Sequence, residues 1–198
     1  MEKMIKLFTE SINLKKSVIE NGSLEVLENI GDVISESISK GGKLMLCGNG
    51  GSASDAQHLA AELLVRLRPA VNRQALPAIA LAMDTSTITA CGNDYSFNSL
   101  YERMVEALGN PGDILLGIST SGKSKNVIQA FHAAKKKGII CCAFLGAGGG
   151  EMLGLSDYAF VVPGYITGRI QEVHITAGHA LMEFVEDKLI ETGYLAKS

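Results

Sequence analysis

Residue types that transfer protons or bind metals occur in two separate parts of the chain. His58 and Glu62 are four residues apart, so they share a face if their segment is helical. That spacing suits a shared metal or a histidine–carboxylate pair. Gln171 and His179 are eight residues apart near the C-terminus, where one helix can place both beside the same cleft. Spacing alone does not choose between His179 and His174, which lies three residues from Gln171.

Two loops rich in glycine and serine have the sequence of strand-to-helix turns. One is Gly48-Asn49-Gly50-Gly51-Ser52, and the other is Ser119-Thr120-Ser121-Gly122-Lys123-Ser124. Backbone N–H groups and the dipole at a helix start bind phosphate in such turns. Four of the six residues in the second loop carry hydroxyl groups, more than a single N-cap at Ser121 or Ser124 requires. A phosphate site beside acid/base groups indicates chemistry on a small phosphorylated molecule.

Each loop also matches a nucleotide-binding motif that its context argues against. Residues 48–53 fit G-x-G-x-x-G/A, but the ribose-binding acid expected about 20 residues on is missing. The best candidate, Asp84, lies 31 residues past Ala53. Residues 117–124 fit the Walker A pattern, but Gly117 lies inside an apolar run, and no later strand ends in an acid that can hold magnesium.

The composition indicates a globular chain without obvious nucleic-acid or membrane partners. The chain has 198 residues, 46% of them hydrophobic and 20% charged, with a net charge of -3. We therefore expect one domain with a sizeable core. No long basic run, signal-peptide pattern or apolar run of roughly 20 residues is present. The four cysteines form no Cys-x-x-Cys pair, which favours free thiols in a reducing cytoplasm.

The hydrophobic pattern predicts helices and strands in alternation after an N-terminal helical pair. Two helices are expected between residues 3 and 40. Later helices are predicted at 52–66, 97–108, 125–137 and 167–191, and apolar strands at 43–47, 77–82, 113–118, 139–145 and 158–162. Continuous apolar strands separated by helices favour a parallel sheet covered on both faces. Both loops then lie at carboxyl ends of strands, where such sheets bind ligands.

The combination of these segments resembles the bacterial phosphoheptose isomerases, which are sugar isomerase (SIS) domain proteins. The resemblance covers nearly the whole chain. The matching segments are 47–52, His58 with Glu62, Asn93-Asp94, 117–122, and Arg169-Ile170-Gln171-Glu172 with His179. The resemblance implies an α/β fold, a three-layer α/β/α sandwich around a five-stranded parallel sheet. It also implies a single SIS domain over 1–198, in which 1–40 is a helical extension packed on the core or in the oligomer interface.

The resemblance further assigns roles to individual residues. It makes Glu62 and His179 the acid/base pair and selects His179 over His174. It implies one zinc ion per subunit, and a homotetramer with the site at a subunit interface. The implied zinc ligands are His58, Glu62, Gln171 and His179. The implied substrate-binding residues are Asn49, Gly50, Gly51, Ser52, Glu62, Asn93, Asp94, Ser119, Thr120, Ser121, Ser124 and Gln171.

The implied reaction is an aldose–ketose isomerisation through an enediol. D-sedoheptulose 7-phosphate would become D-glycero-D-manno-heptose 7-phosphate, the first step toward nucleotide-activated heptose for lipopolysaccharide, capsule or glycoprotein. A positioned carboxylate can move the carbon-bound proton, and a divalent metal can polarise the carbonyl. Two imidazoles, a carboxylate and an amide oxygen are compatible with zinc, although glutamine is an uncommon zinc ligand. Binding a metal weakens Glu62 as a base, so its two implied roles compete.

Two positions depart from the family pattern, and two other functions remain as alternatives. Lys123 replaces a small polar residue, and Gly168 stands where well-known members carry an acid. One alternative is a non-catalytic SIS scaffold that binds the bacterial replication initiator, and the other is a sugar-phosphate sensor. The presence of Glu62 and His179 favours an enzyme over the scaffold. About 40 residues before the first strand are too few for a typical DNA-binding domain of a sensor.

Overall fold

The computed structural model describes residues 1–81 and 84–196 and contains a five-stranded, fully parallel sheet. The strands are β1 Leu44–Gly48, β2 Ala78–Ala80, β3 Ile114–Ser119, β4 Ile140–Leu145 and β5 Tyr158–Val161. Their order in the sheet is β2-β1-β3-β4-β5. The predicted five-stranded parallel sheet is therefore confirmed. Ala82, the end of the predicted second strand, lies outside the described residues.

Helices cover both faces of the sheet. They are α1 Glu2–Glu20, α2 Leu24–Ser39, α3 Gly51–Ala61, α4 Thr85–Asp94, α5 Leu100–Leu108, α6 Lys125–Lys136, α7 Gly150–Leu153 and α8 Thr167–Glu191. One buried cluster joins the sheet to α2, α3 and α8, and a second joins its other face to α5 and α6. The side chains of β1 alternate accordingly, with Leu44 and Leu46 in the first cluster and Met45 and Cys47 in the second. These two cores make the predicted three-layer sandwich.

The structure corrects two predicted helical segments and adds a helix that was not predicted. The helix expected over 52–66 is α3 followed by a π-helical turn at Glu62–Arg66, and the helix expected over 97–108 begins with a 3-10 turn at Phe97–Ser99. Sequence reasoning missed α4 altogether, because its threonines have low helix propensity. An N-cap stabilises the start of α4, where Asp84 accepts a hydrogen bond of 2.7 Å from the Thr87 N–H. Asp84, the candidate ribose-binding acid, is thus an N-cap.

The chain changes direction across the sheet between β1 and β3, and this brings the two loops side by side. From β1 the chain passes outward to β2 and then returns to β3 on the opposite side of β1. Gly48 at the end of β1 pairs in register with Ile118 near the end of β3. Such a switch point opens a crevice at the carboxyl ends of the strands. The loops that follow Gly48 and Ile118 therefore border one crevice.

The described residues also bear on the predictions about cysteines and membranes. All four cysteines are buried free thiols. Burial raises the pKa of Cys47, Cys141 and Cys142 well above that of a free thiol. Within residues 1–81 and 84–196, no helix combines the length and the apolar character needed to cross a bilayer.

His174 lies in the core. Its side chain has no exposed surface, and its Nε2 donates a hydrogen bond of 3.0 Å to the Leu145 carbonyl. Its ring packs beside that of Phe144, with 5.8 Å between centroids. Burial lowers the pKa of His174 to about 4, so the ring is neutral at pH 7. His174 is therefore a structural residue, and His179 is the histidine of α8 that reaches the candidate site.

The stability of the protein should fall as pH decreases from about 6.5 toward 4, partly because of His174. The unfolded chain protonates this histidine below about 6.5, whereas the folded chain resists protonation until about 4. The difference corresponds to about 3 kcal/mol of folding free energy. His174→Gln can still donate to the Leu145 carbonyl but cannot titrate. Urea denaturation across this pH range should show a smaller loss in the variant, and parallel losses would contradict the assignment.

Candidate functional site

The first loop gives α3 an open N-terminus at the crevice. Gly50 is the N-cap residue, with φ 55 and ψ -122, a conformation that favours glycine. Gly48 must also lack a side chain, because a Cβ there would lie 2.8 Å from the Ser52 carbonyl oxygen and 2.9 Å from that of Ile118. The hydroxyl of Tyr101 donates to the Gly48 carbonyl. The loop is therefore fixed from both sides, and its helix dipole is directed at the crevice.

The second loop is a compact turn held by its own hydroxyl groups. The Ser119 and Ser124 hydroxyls are 2.9 Å apart, and the Gly122 N–H donates to the Ser119 hydroxyl at 3.1 Å. Ser121 is exposed and Thr120 is half-buried. Ser124 occupies the N-cap position of α6, but its hydroxyl makes no capping hydrogen bond and contacts Ser119 instead, so the alternative of a simple serine cap is not supported there. The loop thus combines a helix N-terminus with several hydroxyl groups, which suits a phosphate monoester.

A reciprocal pair of amides links the two loops. The Asn49 Nδ2 donates to Asn126 Oδ1 at 2.9 Å, and the Asn126 Nδ2 donates to Asn49 Oδ1 at 2.8 Å. Asn126 is 2% exposed and lies in the first turn of α6. Sequence reasoning missed Asn126, since a single asparagine in a helix carries no motif. Its pairing fixes the separation of the loops before any ligand binds.

Three potential metal ligands, from α3, the π-helical turn that follows it and α8, converge beside the first loop. His58 Nε2 lies 2.7 Å from His179 Nε2 and 3.2 Å from Glu62 Oε1. One ligand atom of each of the three side chains lies within 4.8 Å of the others. Glu62 is the first residue of the π-helical turn, and its side chain is 14% exposed. The structure therefore brings together three of the four residues for which the resemblance implied zinc.

The close approach of α3 and α8 explains this convergence. A Cβ on Gly178 would lie 2.6 Å from a methyl carbon of Leu59, so a larger residue at this contact would require the Leu59 side chain to shift. Leu59 has no exposed surface. His58 directly precedes Leu59 and His179 directly follows Gly178 in the chain, so both histidines lie next to this contact. Sequence reasoning missed Gly178, because an isolated glycine in a helical pattern does not reveal which neighbour requires it.

Gln171 is oriented by a buried carboxylate that sequence reasoning also missed. Its Nε2 donates a hydrogen bond of 2.6 Å to Asp55 Oδ1, which leaves the amide oxygen as the atom suited to bind a metal. Asp55 lies on α3, three residues before His58, and is 5% exposed. Its Oδ2 is buried without a hydrogen-bond partner. Burial raises the pKa of Asp55, and the hydrogen bond from Gln171 opposes that rise.

Asn93 and Asp94 lie apart from this cluster. They end α4 and are exposed, and the Asn93 Nδ2 donates to Asp94 Oδ1 at 2.7 Å. No described hydrogen bond joins them to the two loops or to the histidines. Lys123 is exposed within the second loop. At Gly168, in the first turn of α8, a Cβ would meet no atom within 4 Å, so the acid found in well-known family members would fit sterically.

The side chains that converge form a donor set suited to zinc. Two imidazole nitrogens and a carboxylate, with the Gln171 amide nearby, are ligands that zinc accepts in four-coordinate sites. The distance of 3.2 Å between His58 and Glu62 matches the separation of two ligands that share one small cation. The two facing Nε2 atoms are closer, at a hydrogen-bond distance, and only one of them can carry the proton between them. The residues present therefore fit a metal.

The sequence is similar to SIS domain proteins and to curated phosphoheptose isomerases. The SIS domain family model matches residues 7–146. The phosphoheptose isomerase of Aquifex aeolicus is 47% identical over 191 residues, which cover 96% of this chain and 98% of that protein. The phosphoheptose isomerase of Paramagnetospirillum magneticum is 53% identical over 151 residues, covering 76% of this chain and 78% of that protein.

Solved structures agree at the level of the fold. A phosphoheptose isomerase from Neisseria gonorrhoeae superposes with a TM-score of 0.88 at 39% identity, covering 94% of this chain and 98% of that one. One from Francisella tularensis gives 0.89 at 34% identity, covering 94% and 97%. The sugar isomerase domain of an RpiR transcription factor from Sphaerobacter thermophilus gives 0.68 at 16% identity, covering 96% and 93%, a likeness of fold alone.

Gly122→Ala should destabilise the protein much more than Gly148→Ala. Both glycines have positive φ, 62° and 82°, so each alanine costs about 1–2 kcal/mol of backbone strain. At Gly122 a Cβ would also lie 1.8 Å from the Gly149 carbonyl oxygen, whereas at Gly148 it would meet nothing within 4 Å. The clash should add about 1–3 kcal/mol, measurable by urea denaturation. Equal losses in the two variants would show that the second loop does not depend on this contact.

Proposed function

The chain belongs to the phosphoheptose isomerase family of SIS domain proteins, and we propose that it converts D-sedoheptulose 7-phosphate to D-glycero-D-manno-heptose 7-phosphate. The product would be the first intermediate on the way to nucleotide-activated heptose. The observation that carries the proposal is the meeting of His58, Glu62 and His179 beside two phosphate-type loops. The scaffold and sensor alternatives do not require an acid/base cluster at that place.

The two loops would hold the phosphate and so orient the reacting carbons. The N-termini of α3 and α6 and the hydroxyls of 119–124 supply donors on one side of the crevice. Because phosphate lies five carbons from C2, binding at the loops can place C1 and C2 near the α3–α8 cluster. Holding the substrate in a reactive geometry can supply a large part of the rate enhancement. The Asn49–Asn126 pair keeps this phosphate site rigid.

Proton transfer is assigned to Glu62 and His179. Glu62 would remove a proton from C1 of the ketose and return it to C2 of the enediol, and its carboxylate is shielded enough to act without competition from bulk water. His179 would move the proton between the O1 and O2 oxygens. In this assignment Glu62 transfers the carbon-bound proton, and His179 transfers the oxygen-bound proton.

Zinc is proposed as the cofactor, held by His58, Glu62, Gln171 and His179 with one ion per subunit. When bound, a divalent cation of this kind polarises a carbonyl and stabilises the negative charge that develops on its oxygen. The support is the donor set and the Asp55 carboxylate, which fixes the Gln171 amide by hydrogen bonding. In metal sites, carboxylates that do not bind the ion themselves commonly orient its ligands by hydrogen bonding.

We also propose a homotetramer whose sites lie at subunit interfaces. The 19-residue α1 buries only Ser11 and Val18, and an apolar stripe on it faces outward. Members of this stripe are strongly exposed: Met4 63%, Ile5 60%, Phe8 72% and Ile12 51%. A contiguous apolar surface of this kind marks an interaction site, and a second copy of the chain is the occupant that the family implies. Exposed Asn93 and Asp94 could complete a neighbouring subunit's site. The buried free thiols support a cytoplasmic location.

Glu62→Gln should reduce conversion of sedoheptulose 7-phosphate by about 10²–10⁴-fold, because the amide cannot accept the C1 proton. The exposed Glu25→Gln variant is the matched control and should retain full turnover. Product formation is measured by chromatography of the aldoheptose phosphate, with folding checked by circular dichroism. Near-normal turnover of a folded Glu62→Gln protein would remove this carboxylate from the mechanism.

Phe8→Glu should dissociate the assembly into smaller species, because a charge would have to be buried in each apolar contact. Light scattering coupled to size exclusion reports the mass directly. Lys6→Glu, on the same helix but outside the apolar stripe, is the control and should leave the mass unchanged. A tetramer that persists in Phe8→Glu would show that the stripe is not the interface.

A further inference from the structure

A buried arginine outside the proposed active site contacts the turn from which Glu62 projects. Arg73 lies between the π-helical turn and β2, and its side chain is 1% exposed. Its Nη2 donates to the Glu62 carbonyl at 2.7 Å, and its Nη1 donates to the Leu63 carbonyl at 2.9 Å. The last carbonyls of a helix run out of intrahelical donors, and here a guanidinium supplies them.

Arg73 is itself held by a carboxylate on α8. Its Nε donates to Glu186 Oε1 at 2.5 Å, and the Glu186 side chain is also 1% exposed. The other carboxylate oxygen accepts from Arg68 Nε at 2.6 Å. Removing either partner of a buried ion pair leaves an uncompensated charge, so the pair holds a single arrangement. The planar guanidinium can thus bind carboxylate and carbonyls at once in a fixed orientation.

The position of the contact relates it to the proposed chemistry. Glu62 begins a π-helical turn, a wider turn that is rare and frequently occurs at functional sites. Glu186 and His179 are seven residues apart on α8, about two turns, and therefore lie on the same side of that helix. The Arg73–Glu186 pair accordingly ties the backbone of Glu62 to the helix that carries His179. The carboxylate of Glu62 then lies 3.2 Å from His58.

We propose that Arg73 is a positioning residue for Glu62: by capping the π-helical turn and pairing with Glu186, it fixes the Glu62 carboxylate relative to the two histidines. This inference rests on the proposed function, in which Glu62 is both base and metal ligand. Loss of the Arg73 contacts would let the turn relax toward α-helical geometry and shift the carboxylate. Displacements of about 1 Å can reduce a reaction rate by about 100-fold.

The test compares Arg73→Lys with Arg68→Lys. Both variants keep a positive charge next to Glu186, but a lysine at 73 cannot bind the carboxylate and two carbonyls together. The described hydrogen bonds of Arg68 go to carboxylates of α8, at Glu186, Glu183 and Asp187, so its variant perturbs the same acid without touching the turn. The readouts are kcat and KM for sedoheptulose 7-phosphate, and zinc affinity by competition with a chromogenic chelator.

Arg73→Lys should lower kcat at least about 10-fold with a much smaller change in KM, and should weaken zinc binding about 10-fold or more. Arg68→Lys should change neither by more than about 2-fold. Equal thermal destabilisation of the two variants with unchanged kcat and zinc affinity would overturn the proposal, since Arg73 would then serve stability alone.

Two further measurements test the proposal if Arg73→Lys does not fold or if the wild-type protein shows no turnover. If Arg73→Lys does not fold, Glu186→Gln takes its place: it retains an acceptor for Arg73 but weakens the pair, so kcat should fall at constant KM, and an unchanged kcat would overturn the proposal. If the wild-type protein shows no turnover with zinc supplied, the proposed function fails on its own. The zinc-affinity comparison of the lysine variants then still decides whether Arg73 positions Glu62.

Discussion

The contact between Leu59 of α3 and Gly178 of α8 determines the geometry of the candidate site. Without a side chain at 178, the two helices approach closely enough for His58 and His179 to face each other at 2.7 Å. A larger residue at 178 would require the fully buried Leu59 side chain to repack, which is costly in a close-packed core. The proton-transfer and metal-binding roles that we propose both depend on this separation. Asp55 in α3 and Glu62 in the π-helical turn then lie on either side of the contact along the chain.

A second constraint links the cluster to the phosphate loops. The switch in strand order between β1 and β3 places both loops at one crevice, and the Asn49–Asn126 pair fixes their separation. The same fold occurs at 16% identity in the sugar isomerase domain of a transcription factor. The sheet and loops alone therefore do not define an isomerase. The α3–α8 cluster adds to the shared fold the groups that can transfer a proton.

Much of the architecture was predictable, because the strands are buried on both faces and read as continuous apolar runs. The order of strands and helices followed from that pattern, and the resemblance supplied the layer arrangement. Other features depend on tertiary contacts that no local pattern encodes. The π-helical turn at Glu62 depends on Arg73, which is separated from it by a loop and is itself oriented by Glu186. Helix α4 is different, because its Asp84 cap is a local contact with Thr87 that sequence reasoning did not recognise.

The site residues also divide into those that the sequence predicted and those that only the folded structure reveals. Motif and spacing found His58, Glu62, the two loops and both histidines of α8, but spacing could not separate His174 from His179. Burial separates them, since His174 lies in the core with a pKa of about 4. Asp55 and Asn126 were missed because each acts on a neighbour through one hydrogen bond, and only the folded chain shows that neighbour. The roles of Asn93 and Asp94 remain predictions that depend on the assembled oligomer.

The most direct test of the central claim is conversion of sedoheptulose 7-phosphate by the purified protein before chelation, after chelation and after zinc is restored. We predict conversion to the aldoheptose phosphate that is lost on chelation and recovered with zinc, as expected of a metal-assisted isomerase built on His58, Glu62, Gln171 and His179. Conversion that is indifferent to chelation would contradict the metal assignment. No conversion with zinc supplied would contradict the proposed function itself.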